Sequence, residues 1–126
     1  MSAWRRKALE AFPELRKQIE NPEEVFSIYA LWFELLPLTR TAHREGDRTT
    51  LSRVYEYAEW CSRQRPQDLW NSVAVCFYEH LFDEPWMRPL AAPWLSPQII
   101  RDHMTLWEGR LSDADMAEVR TLLKQR

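Results

Sequence analysis

Glycine is almost missing from this chain, with two residues in 126. A phosphate-cradling loop of the GxGxxG or GxxxxGK[ST] kind needs more, so neither fits. Cysteine is as scarce. Cys61 and Cys76 are too few for the disulfide framework of a small secreted domain. No charge dominates: 17 Lys+Arg stand against 19 Asp+Glu, a net charge of −2. A phosphate-tracking surface needs a one-sided basic excess, so nucleic acid is not the expected partner. Long apolar runs are lacking too. The longest, residues 29–36, is interrupted by Glu34 and falls well short of the roughly 20 residues of a membrane span. The charged start Trp4-Arg5-Arg6-Lys7 leads into no apolar stretch of signal-peptide length. The expected setting is the cytoplasm, with reduced thiols and no membrane contact.

What the chain does have is apolar and aromatic material. It is 45% hydrophobic and 13% aromatic, with seven tryptophans, which excludes a disordered segment. Its length points to one compact domain over residues 1–126. Such a domain buries roughly two-thirds of its unfolded surface without help from a metal or a disulfide. Apolar residues recur at helical spacing, and no segment alternates with period two. The expected fold is all-α: a single compact bundle-like domain of five or six helices, with a Pro/Trp-rich loop before the last two.

Prolines and capping residues set the expected boundaries. Residues 3–12 form a first helix behind Ser2, and Pro13 restarts the chain as a second piece over residues 14–20. Asn21-Pro22-Glu23-Glu24 reads as a helix start, with a cap, a first-turn proline and two acids for the dipole. The helix after it, through Trp32, is apolar almost all round and is expected to kink at Pro37 and end at Gly46-Asp47. Thr49 or Thr50 is expected to cap the next, with Leu51, Val54, Tyr55, Ala58 and Cys61 inward. Pro66 or Asp68 opens a further helix to about Phe82, with Trp70, Val73, Ala74, Phe77 and Leu81 on one apolar face. Residues 83–95 hold three prolines and two tryptophans and read as a folded loop with one short turn. Ser96 and Ser112 then cap the last two helices.

No complete catalytic or metal set is visible. Cys76 and His80 are four apart, which on a helix puts both on one face, and Cys61 and His103 are candidates to complete a Cys2His2 site. No CxxC, HExxH or paired ExxH accompanies them. Packed cysteines and hydrogen-bonded histidines are the expected state, with no metal and no cofactor. Glu79 and His80 are neighbours and diverge by about 100° on a helix. Glu56 and Glu59, on the preceding helix, are placed to face His80. Together with Tyr78 they would line a cleft for acid–base work between the two middle helices. Arg40, His43, Arg44 and Arg48 gather near Gly46, but Glu45 and Asp47 interrupt them, and a solvated helix end is the expected reading.

Five tryptophans, Trp4, Trp32, Trp60, Trp70 and Trp107, lie in expected helices and are assigned mainly to packing. Trp60 falls beside the polar flank of Glu56, Glu59 and Arg63 and off the apolar stripe. Trp86 and Trp94, in the proline-rich loop, either clamp it to the core or meet a partner, tryptophan being enriched at binding hot spots.

Ala11-Phe12-Pro13-Glu14-Leu15, Tyr57-Ala58-Glu59-Trp60-Cys61, the run from Ala74 through His80 to Leu81, and Trp94-Leu95-Ser96 resemble phrases of an uncharacterised bacterial family of small all-helical domains, a domain of unknown function. The resemblance spans most of the chain. It implies the helical fold and a bacterial cytoplasmic setting, and no substrate. In class alone, small acidic helical bacterial proteins also resemble immunity proteins that neutralise toxins. The expected function is a non-enzymatic cytoplasmic protein-interaction module, of immunity or adaptor type, that meets another protein of basic character. Glu56, Glu59, Trp60, Tyr78, Glu79 and His80 form the candidate functional cluster, with Trp86 and Trp94 as candidate partner contacts. The alternative is a small-ligand-binding protein or an enzyme that uses the Glu/His/Tyr cleft. Homodimerisation stays open, since two helices carry more than one apolar face.

Overall fold

A computed structural model describes residues 1–125. Among these the chain is helical with no strands. Its α-helices are α1 (Ala3–Ala11), α2 (Arg16–Ile19), α3 (Ile28–Glu45), α4 (Arg48–Ser62), α5 (Gln67–Cys76), α6 (Arg88–Ala91), α7 (Pro97–Arg110) and α8 (Asp113–Lys124). Short 3-10 turns cover Pro13–Leu15, Tyr78–His80, Pro85–Met87 and Ala92–Trp94. The all-α expectation holds. The count of five or six does not, because the described residues form eight α-helices. Two of the eight, α2 and α6, are single turns: α2 follows the 3-10 turn that Pro13 opens, and α6 lies between two 3-10 turns in the segment of Pro85, Pro89 and Pro93.

Several boundaries depart from expectation, each for a hydrogen-bonding reason. Asn21-Pro22 makes a turn, and α3 starts behind Ser27, whose Oγ accepts the Ala30 N–H at 3.2 Å. Arg5 organises the stretch before it. Its guanidinium donates to the Ile19 carbonyl, to the Phe26 carbonyl at 2.7 Å and to Glu23 at 2.8 Å. α3 then runs through Pro37 unbroken. The proline leaves the Phe33 carbonyl without its helical N–H, at a residue that is 71% exposed. Gly46, at φ +66°, reverses the chain, and Asp47 caps α4 in place of the expected threonines. Its carboxylate accepts the Thr50 N–H at 3.1 Å and the Thr50 hydroxyl at 2.7 Å.

The helix expected to reach Phe82 stops at Cys76. The Trp107 indole N–H donates to the Tyr78 carbonyl at 2.7 Å. The chain leaves helical geometry one residue earlier, at Phe77 (φ −122°, ψ −71°), and continues as a 3-10 turn in which the Tyr78 carbonyl also accepts the Leu81 N–H at 3.1 Å. Cys76 and His80 therefore do not share a helix face. Within α5 the buried stripe is Leu69, Ser72 and Val73, so the next face turns outward and Trp70, assigned inward from sequence, is 43% exposed. Trp4, Trp32 and Trp107 are buried, while Trp60, Trp86 and Trp94 are half-buried against the core. No helix among the described residues is long and apolar enough to cross a membrane.

A row of aromatic rings runs through the core. Fully buried Trp32 lies 5.7 Å from Tyr57 and 5.1 Å from Phe77, centroid to centroid. Phe12 meets Tyr57 edge-on at 5.7 Å, which seats the end of α1. Beyond Phe77 the row passes to Tyr78 at 5.2 Å, His103 at 4.4 Å, Trp107 at 6.3 Å and Phe82 at 5.0 Å. Each such pair adds about 0.5–1.5 kcal/mol to simple burial.

The proline-rich segment is folded more tightly than a loop with one turn. Met87, Ala91, Ala92 and Leu95 are all buried. α8 covers part of it with Met116, Val119 and Leu123. Arg88, only 3% exposed, joins the two. Its Nε donates to the Phe82 carbonyl at 2.8 Å, and its Nη1 reaches Asp115 at 3.1 Å and Glu118 at 3.3 Å. Removing a buried, hydrogen-bonded charge costs about 3 kcal/mol, so Arg88→Ala should lower the urea midpoint by that equivalent. Hydrogen exchange in α8 should quicken more than in α3. Asp115→Ala, at the half-exposed end of the pair, should cost far less.

Candidate functional site

α4 divides its residues between core and surface. Tyr55 and Tyr57 are buried, about 200° apart around the helix, while Glu56, Glu59 and Trp60 lie on the outer flank. Each tyrosine carries a flat-lying tryptophan. Trp60 stacks on Tyr57 at 5.9 Å and 17°, and Trp94 stacks on Tyr55 at 5.2 Å and 11°. A groove of about 510 Å³ runs beside Trp60, lined also by Lys7, Arg53 and Arg63. A smaller one of about 330 Å³ runs beside Trp94, lined also by Ser52 and Ser96. Glu56 and Glu59 line both and so form a ridge between them.

The two tyrosines are fixed from below. The Tyr57 hydroxyl donates to the Trp4 carbonyl at 3.0 Å, and the Tyr55 hydroxyl shares a 2.8 Å hydrogen bond with His43 Nε2. Burial raises both phenol pKa values well above the ordinary range, so both stay protonated. Burial also lowers His43 to about 4, so the ring is neutral at pH 7. His43 is therefore no member of the expected basic patch: it points inward from α3 and props up Tyr55. Its arginine neighbours turn to the tryptophans. Arg44 lies over Trp86 at 4.6 Å and Arg48 over Trp94 at 5.1 Å, each contact worth about 0.5–1 kcal/mol at an exposed site. Trp86 and Trp94 thus clamp the 85–94 segment to the α3–α4 corner.

On the ridge, Glu59 pairs with Arg63 at 3.3 Å, a surface contact worth under about 1 kcal/mol. Glu56 is exposed and makes no ion pair among the described residues. Cys61, on the buried side of α4, is an inert thiol, its pKa pushed up to about 12 by burial.

The remaining candidates lie elsewhere. Tyr78 is 1% exposed and reaches no cleft. Glu79 and His80 sit in the 3-10 turn after α5. His80 Nδ1 is 2.9 Å from Asp83, and its Nε2 is 3.8 Å from Glu79. Asp83 in turn holds Arg110 through contacts of 2.7 and 2.8 Å. Burial works against the Asp83 carboxylate, but hydrogen bonds from Arg110 and His80 outweigh it, so its pKa lies below the ordinary value. Glu79 lines a groove with Thr105, Gly109 and Arg110. The structure therefore unites Glu56, Glu59 and Trp60 with Trp94, and places Glu79 and His80 beside the end of α7. Sequence reading missed the Asp83–Arg110 clasp, whose partners are 27 residues apart. It also missed Tyr55 as the floor of the site, since a tyrosine on an apolar stripe gives no other signal.

A family model described as a domain of unknown function, DUF7674, matches residues 5–110. The chain belongs to this family. The DUF7674 match runs from within α1 to the end of α7, takes in Glu56, Glu59, Trp60 and Trp94, and stops before α8. No curated protein and no solved structure matches the chain.

The histidine beneath this face makes stability depend on pH. An unfolded histidine takes up a proton near pH 6.5, whereas His43 in the fold does so only near 4. Between those values the unfolded chain holds more protons, so stability rises with pH and is full above about 6.5. Acidification from pH 6.5 to 4 should remove about 3 kcal/mol through His43. His103, also held neutral by burial, acts in the same direction. Urea titrations across this range should show the slope, and His43→Phe should flatten His43's share of it.

Proposed function

We propose that this chain is a non-enzymatic protein-interaction module, an immunity-type or adaptor protein of the bacterial cytoplasm, and that the outer face of α4 meets a basic protein partner. What supports this reading is the pair of half-buried indoles, each laid flat on a hydrogen-bonded tyrosine, with the Glu56–Glu59 ridge between them. Aromatic anchors that are immobile before binding lose little freedom on contact. The unpaired Glu56 carboxylate adds a point of attraction for lysine or arginine, which speeds encounter. The nearby Arg53 does not cancel it, because its guanidinium is already spent on the Ala11 carbonyl at 2.9 Å and on Glu14 at 3.0 Å.

A second reading, ligand binding or acid–base chemistry at Glu79 and His80, is favoured by one observation. Asp83 orients the His80 ring and leaves Nε2 turned toward Glu79. It differs in what it requires: His80→Gln would then alter ligand binding and leave partner capture untouched.

Co-expression with the product of the adjacent gene, followed by co-purification, tests the leading reading. The two proteins should form a complex that Trp60→Ala with Trp94→Ala weakens at least about tenfold. Glu56→Arg should slow association, more so at low salt. No complex, or one indifferent to these changes, overturns it.

A further inference from the structure

Arginine is repeatedly laid on tryptophan in this molecule. Arg5 lies over Trp4 at 4.4 Å, Arg44 over Trp86 at 4.6 Å and Arg48 over Trp94 at 5.1 Å. Trp60 is half-buried and rests on Tyr57, yet among the described residues no guanidinium lies over it. It lines the groove of about 510 Å³ between α1 and α4. The charged groups of that groove are paired off with one exception. Lys7 meets Glu10 at 4.0 Å, and Arg63 meets Glu59 at 3.3 Å. Arg53 is held by Glu14 and the Ala11 carbonyl, and the Tyr57 hydroxyl by the Trp4 carbonyl. The carboxylate left over is Glu56, exposed and one turn before Trp60 on α4. That spacing makes the two side chains neighbours on one helix face. The Trp60 indole N–H lies in the ring plane and does not compete for the face. Trp70 is also exposed without a guanidinium over it, but one turn away stand Pro66, Gln67, Val73 and Ala74, and no carboxylate.

We infer that the basic partner anchors itself in this groove with one arginine side chain, its guanidinium laid on the Trp60 indole and its N–H edge donating to the Glu56 carboxylate. This rests on the partner reading above and names the chemistry at that site. A planar guanidinium stacks through its face and donates through its edge at once, which a lysine ammonium does not. The chain builds the stacked half of this contact three times with its own arginines. Tyr57, fixed through its hydroxyl, holds the indole flat before the partner arrives, so little freedom is lost on contact.

The intact chain titrated with the blocked tripeptide acetyl-Gly-Arg-Gly-amide is the test, followed through the tryptophan indole N–H signals in two-dimensional NMR spectra. The citrulline analogue, of the same shape without the charge, and the lysine analogue are the controls. The arginine peptide should shift the Trp60 signal saturably, the lysine peptide more weakly, and the citrulline peptide not at all. Signals of Trp4, Trp86 and Trp94, which already carry an arginine, should stay in place, as should that of Trp70. Glu56→Gln, at an exposed position, should leave the fold intact and weaken the arginine peptide about threefold. Trp60→Leu, which still covers Tyr57, should abolish the shifts of the neighbouring α4 amides. Three outcomes overturn the inference: no saturable shift at Trp60, an equal response to either control, or binding unchanged in Glu56→Gln. A complex with the adjacent gene's product that depends on Trp60, while the arginine peptide leaves Trp60 untouched, overturns the arginine anchor alone. Absence of any complex overturns the reading beneath it.

Discussion

The contact of Trp32 with Tyr57 and Phe77 is the constraint that sets the rest of the structure. It fixes α3, α4 and α5 against one another through three large rings. From there the order spreads outward. Tyr57 seats Phe12 and with it α1, while Phe77 and Tyr78 pass the contact to His103 and α7. The Trp32 indole N–H has no hydrogen-bond partner among the described residues. Leaving a buried donor unmade costs about 1–3 kcal/mol. The position is thus filled for volume and flat surface. The same rings reach the outside, because Tyr57 and Tyr55 are also the floors beneath Trp60 and Trp94. Core and candidate surface are two sides of one stack.

Where the aromatic row ends, arginine takes over. Of the eight prolines only Pro37 lies in the interior of a long helix, and the others fall at or near helix and turn boundaries. Every broken helix leaves carbonyls without N–H partners, and buried ones must be met by something else. Arg5 meets those of Ile19 and Phe26, Arg53 that of Ala11, and Arg88 that of Phe82. Each guanidinium also reaches a carboxylate, Glu23, Glu14 or the Asp115–Glu118 pair. A planar group with five donors suits this double task in a way an ammonium does not.

Local signals in the sequence were reliable where the deciding interaction is local. Ser96 and Ser112 cap α7 and α8 as their positions suggest, and Gly46 ends α3. The same reasoning failed where a distant group intervenes. The turn that follows α5 is held by the Trp107 indole, 29 residues from the Tyr78 carbonyl it meets. The turn at Asn21-Pro22 depends on Arg5. His43 looked like part of a basic cluster because its neighbours are arginines, and only its contact with Tyr55 reveals it as a buried neutral ring. The candidate site was half readable. Trp60 stood off the apolar stripe beside Glu56 and Glu59, and it does lie with them. Its relation to Trp94 could not be read, since it runs through two buried tyrosines rather than through spacing. Trp70 shows the converse: at helical spacing with Val73 and Phe77 it looked inward, and a rotation by one residue in the buried stripe sufficed to expose it.

The family match ends at residue 110, yet Arg88 inside it draws its carboxylates from α8 outside it. The guanidinium is too deeply covered to be left with a carbonyl alone. Position 88 and the last helix should therefore be inherited as a unit. Lineages that keep the arginine should keep an acidic, amphipathic helix after residue 110. Those that have shed the helix should carry an apolar residue at 88.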